Sequence, residues 1–116
     1  MPPPYKPHIA QTISELMDFL GMMMLNSPTF IDKSGYFPGK NIDTVFKGLN
    51  ESLQSLRSKL GDDRYIKLQD LSDRMRAYFK ADPEDETGEA QKGRLLIHEM
   101  EDLLLRKPPG SSAAGR

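Results

Sequence analysis

Two short stretches carry residue types at spacings that do chemistry in other proteins. The first is "HEMED", residues 98–102. It follows the zinc-protease pattern H-E-x-x-H, in which two histidines one helical turn apart bind the metal, until the last position. Asp102 stands there instead of a second histidine, and the sequence offers no obvious third ligand. The other histidine, His8, lies among four prolines at the start of the chain. The plainer reading is preferred: His98, Glu99 and Asp102 form a solvated helix face opposite Met100 and Leu103, and no metal is expected.

The second stretch is residues 82–89, "DPEDETGE", with five carboxylates and no base. Read locally, it starts a helix. Asp82 is the cap, Pro83 takes the first position, and Glu84 and Asp85 fill the first turn, where carboxylates meet the positive end of the helix dipole. One cap and one or two acids suffice for that role. Glu86 and Glu89 exceed it, and no lysine intervenes before Lys92. The run therefore also reads as a negative patch facing a basic partner.

Little else resembles catalytic machinery. The absence of cysteine excludes disulfides, thiolate zinc sites, iron–sulfur ligation and cysteine nucleophiles. The serines have no glycine elbow with a histidine nearby, and no glycine-rich loop could cradle a phosphate. Neither an enzyme nor a cofactor is expected. "KLGDDRYIKL", residues 59–68, has the helix-turn-helix outline of a DNA reader. The helix that follows, however, balances its bases with Asp62, Asp63, Asp70 and Asp73, and acids dominate the end that would enter a groove. The whole chain carries 16 basic and 17 acidic residues, a net charge of −1. No global field draws it to nucleic acid or to an anionic membrane.

The elements that must position these residues read as helices. At 116 residues the chain makes one domain. Residues 1–8 are expected to form a mobile proline-rich arm, 9–106 a single helical domain, and 107–116 a disordered tail. The first helix is expected over residues 13–26. Thr12 and Glu15 form a capping box, and Pro28 ends the helix. Ile13, Leu16, Met17, Leu20, Met23 and Met24 share one face, widened by Phe19, Met22 and Leu25, so this helix should be the most enclosed. "GMMML", residues 21–25, could be an adaptable binding surface, but core filling is favoured. Gly21 would admit the close approach of a neighbour.

Ile42, Phe46, Leu49, Leu53, Leu56 and Leu60 make an a/d seam that predicts a second helix, with Asn41 or Asp43 as cap and Gly61 just beyond its end. The third helix follows at once, capped by Asp62 or Asp63, with Tyr65, Leu68, Leu71 or Ser72, Met75, and Tyr78 or Phe79 inward. Asp63–Lys67 and Asp70–Arg74 are spaced as exposed ion pairs. A fourth helix starts between residues 83 and 89 and buries Leu96 or Ile97, Met100, Leu103 and Leu104. The expected fold class is all-α, an antiparallel four-helix bundle with an elaborated loop between the first two helices. That loop carries Phe30, Tyr36 and Phe37, which either cap the bundle or face a partner, and it could form a small hairpin at residues 33–35.

No apolar stretch approaches the length needed to span a membrane, and no signal peptide is legible, so a cytoplasmic protein without membrane contact is expected. From "NIDTVFKGLNESLQSLRSKLGDDRYIKLQDLSDRMRAYF" through "DPEDETGEAQKGRLLIHEMEDLL" the chain resembles small helical bacterial immunity proteins of the polymorphic-toxin type. The resemblance is one of overall pattern, over roughly residues 12–105. It implies a non-enzymatic protein that binds and blocks a cognate toxin domain, without touching nucleic acid itself. The candidate contact residues are Asp82, Glu84, Asp85, Glu86 and Glu89 of the acidic run, with Tyr36 and Phe37 of the loop. The competing reading is a structural or adaptor bundle that self-associates through its first helix.

Overall fold

The computed structural model describes residues 9–31 and 40–105. The arm, the tail, Tyr36, Phe37 and the hairpin expected at 33–35 lie outside them. Among the described residues all regular structure is helical: α1 Ile13–Asn26, α2 Ile42–Ser55, α3 Arg57–Leu60, α4 Asp62–Ala81 and α5 Glu89–Leu105.

The helices begin as their sequences dictate. Thr12 accepts the Glu15 N–H at 3.0 Å, and the Glu15 carboxylate reaches back to the N–H of Gln11 at 2.8 Å. Asn41 and Thr44 cap α2 reciprocally, each side chain accepting the other's backbone N–H at 3.0 Å. The second helix does not run unbroken to Leu60. Leu56 leaves helical geometry at φ −99°, ψ 5°, and α3 resumes the path. Leu56 and Leu60 are both buried, so the interruption keeps the seam inward. Gly61, at φ 82°, then turns the chain directly into α4. Neither aspartate caps that helix; Asp62 instead pairs with Arg57 at 3.0 Å.

Polar ties fix how the helices pair. Asp43, near the start of α2, binds Arg76 and Lys80 near the end of α4, and these two cations hold its carboxyl below the usual range. Midway, Ser72 donates to Asn50 at 2.7 Å. Thus α2 and α4 run antiparallel. Arg64, near the start of α4, donates to the carbonyl oxygens of Leu103 at 3.0 Å and Leu60 at 2.9 Å, so α5 also runs antiparallel to α4. The helix α1 packs on α5 and α2. Just before it, Ala10 donates its N–H to Ser52 at 2.8 Å.

The core contains all of Leu49, Leu53, Leu68, Met75, Leu96, Ile97 and Met100, as the spacing predicts. Phe30 is fully buried, although its backbone is left-handed at φ 60°. Its ring meets those of Phe46 and Phe79 edge-on, with centroids 5.8 and 5.4 Å away. Three expectations need correction. Leu103 is only half-buried, because it lies at the edge of the α4–α5 seam. The first helix is not wrapped on all sides: Met22 and Met24 are half-buried and Leu25 is 86% exposed, since α1 turns one face to its neighbours. Gly21 has no close neighbour among the described residues. The glycine that admits one is Gly93 of α5, against Phe79.

Candidate functional site

The acidic run does not begin a helix at Asp82. The carboxylate of Asp82 is folded inward, with only 2% of the residue exposed. It accepts the backbone N–H groups of Glu86 at 2.7 Å, Thr87 at 3.2 Å and Ala90 at 3.0 Å. The Ala90 bond above all, then those of Glu86 and Thr87, draws its pKa down to about 2 against the opposing cost of burial. The chain wraps around this anion, with Asp85 at φ 57° and Gly88 at φ 91°, and α5 starts only at Glu89. Asp82 therefore does cap a helix, but from eight residues upstream.

Two more acids have internal partners. Arg94 grips Asp85 with both terminal nitrogens, at 2.7 and 3.3 Å, and donates its Nε to Ser27 at 2.8 Å. One guanidinium thus fastens the acidic turn to the end of α1. Glu89 pairs with Lys92 at 2.9 Å and raises the lysine's pKa. Glu84 and Glu86 remain exposed, with no ion pair among the described residues. Of the five carboxylates, these two face solvent without a partner among the described residues. Asp82 is an internal support and leaves the list of contact residues.

Beside them runs a groove of about 620 Å³. Leu25, Pro28 and Ile31 form one wall, Pro83, Glu84 and Asp85 the other, and Lys40 closes an end. Leu25 and Ile31 are 86% and 54% exposed. The structure therefore joins the acidic run to the start of the loop after α1, two regions the sequence treats separately. Sequence reasoning missed Leu25, Ile31 and Arg94. Leu25 carried a signal, since its position in the last turn of α1 points it away from the face of Leu16, Leu20 and Met23.

His98 is exposed on α5 and lies 3.1 Å from Glu101, not Asp102. Among the described residues no three His, Cys, Asp or Glu side chains are grouped to hold a metal ion. Arg64, which a DNA-reading helix would present outward, is buried on helix carbonyls. No helix among the described residues is long and apolar enough to cross a membrane.

The chain matches no protein-family model, no curated protein and no solved structure.

Proposed function

We propose that this protein is a non-enzymatic binding module, a cytoplasmic immunity protein that neutralises a cognate bacterial toxin domain by direct contact at the groove between α1 and the acidic turn. The observation that carries this reading is the pairing of two exposed aliphatic side chains, Leu25 and Ile31, with Glu84 in one groove, and with Glu86 two residues further on; neither carboxylate has an ion pair among the described residues. A basic surface bearing an apolar anchor is the complementary partner. The charges would speed encounter and the aliphatic pair would slow release. Arg94 supports the reading because it fixes both walls of the groove to α5 before any partner arrives, which lowers the ordering cost of binding. The helix pairing supports an antiparallel four-helix bundle in which α3 is a terminal turn of the second helix: α1 meets α2, α2 meets α4, α4 meets α5 and α5 meets α1.

The test is co-purification with the product of the adjacent gene, followed by binding kinetics. Glu84→Gln with Glu86→Gln should lower the association rate and its salt dependence, while Leu25→Ala with Ile31→Ala should speed dissociation. Asp63→Asn with Asp73→Asn, on an unrelated acidic face, should change neither. Unaltered rates for both groove variants at low and high salt would sink the groove, and absence of any complex would sink the immunity reading. The half-buried methionines of α1 favour a self-associating adaptor as second reading. A dimer of the isolated protein that Met22→Lys abolishes would establish it.

A further inference from the structure

A second groove, of about 580 Å³, lies on the outer face of the fold, and its lining among the described residues comes from α4 and α5. Leu71 and Leu103 are the apolar side chains deepest in it, and Ile66, 61% exposed, stands at its edge. Its two walls differ in charge. Lys67 and Arg74, with Asp70 between them, give the α4 side a net positive charge, while Glu99 and Asp102 make the α5 side negative. Lys67, Glu99 and Asp102 have no ion pair among the described residues, and Arg74 has only an exposed contact to Asp70 at 3.5 Å. An exposed pair of that kind contributes little and is easily exchanged.

The register gives the charges meaning. Phe79 lies against Gly93, and Arg64 bonds to Leu103, so the antiparallel helices place Lys67 level with Asp102 and Arg74 within a turn of Glu99. Consider a second copy related by a two-fold axis parallel to the helices. The axis preserves height and exchanges left with right. Each copy's α4 then lies over the other's α5, so Lys67 faces Asp102, Arg74 comes within a turn of Glu99 with its own partner Asp70 nearer that height, and Ile66 approaches Leu103. Every contact occurs twice, as an isologous interface requires. With 20 residues, α4 spans about 30 Å, and a face of that length two helices wide has the scale of a standard interface. An unrelated partner would need this divided pattern by design, whereas a second copy carries it already.

We infer that the α4–α5 face is a self-complementary docking surface on which a second copy of this chain binds. The inference does not depend on the toxin-binding reading, because the first groove shares no residue with this one.

The experiment is sedimentation equilibrium of the full chain over a wide concentration range, at low and high salt. Wild type should dimerise, more weakly as salt rises. Lys67→Glu with Arg74→Glu makes both walls acidic, and Glu99→Lys with Asp102→Lys makes both basic. Each variant alone should raise the dimer dissociation constant on the order of a hundredfold, as juxtaposed like charges do. An equimolar mixture of the two should restore association as a heterodimer. Circular dichroism must show native helix content in both variants, and heterodimer formation independently proves that they are folded. A wild type that stays monomeric overturns the inference, as does a dimer that neither variant weakens. Leu25→Ala with Ile31→Ala should leave the dimer unchanged.

Discussion

The ring of Phe79 fills the space where a side chain at Gly93 would begin: a Cβ placed there lies 2.6 Å from the ring edge. Phe79 cannot retreat easily, because Phe30 and Phe46 stand against it. Gly93→Ala gains about 1 kcal/mol of helix propensity but overpacks the core at a cost of roughly 1–3 kcal/mol. We expect net destabilisation of up to about 2 kcal/mol. Gly21, with nothing among the described residues within 4 Å of such a Cβ, should respond oppositely: Gly21→Ala stabilises by roughly 0.5–1 kcal/mol. Chemical denaturation of the two variants checks the reversal of sign.

Asp82 makes stability depend on acid in a defined window. Its folded pKa, about 2, lies below the ordinary 3.8. The native state thus favours the ionised form, and this contribution is present above about pH 4 and lost as the pH falls through about 2. Asp43, also depressed, adds a loss of the same sign. Asp82→Asn puts an amide donor where one oxygen now accepts an N–H. Its unfolding midpoint should lie below wild type at neutral pH, and the gap should close as the pH approaches about 2. A gap that persists unchanged through that window would mean that the carboxylate charge is immaterial.

Arg64→Met keeps the aliphatic stem and removes the donors from the carbonyls of Leu60 and Leu103. The expected cost is roughly 1–3 kcal/mol. Arg64→Lys should recover only part of it, because a single ammonium cannot reproduce the planar fork. Full recovery by lysine would show that charge alone matters here.

Leu53→Ala, in the middle of the buried seam, should cost roughly 2–5 kcal/mol by equilibrium unfolding. A loss under about half a kcal/mol would be the response of a surface position, not a core one.

The parts legible in the sequence were those set by nearby residues. Thr12 with Glu15, the spacing of the leucines in α2, Gly61 after Leu60, and the stop at Asp82 and Pro83 each act over a few positions, and periodicity and turn chemistry report them directly. The break at Leu56 was hidden because the seam keeps its inward spacing across it. The acidic run was misread for a different reason. Capping rules assume that the cap adjoins its helix, whereas Asp82 reaches Ala90 across a folded turn. Nor could charge spacing show that Arg94 would claim Asp85, or that the end of α1 would lie beside Pro83. These depend on how helices distant in sequence come together.

The charged supports of α5 also bear on the order in which the molecule opens. Asp82 holds its first turn and Arg64 its last, and both belong to the segment just before it. The bond from Arg64 to Leu103 closes 39 residues, whereas that from Arg94 to Ser27 closes 67. Loop-closure entropy alone separates the two by only about half a kcal/mol. The larger difference is that α5 is anchored at both ends by buried ions, Asp82 and Arg64, while α1 is held by the part-buried bond from Arg94 to Ser27 and by the Ala10 N–H on Ser52. We expect native-state hydrogen exchange to find amides of α1 released at lower free energy than those of α4 and α5. Equal protection in all three would refute this ranking. If it holds, the groove at Leu25 is built on the most readily detached element of the fold, and a partner seated there would announce itself as slowed exchange in α1.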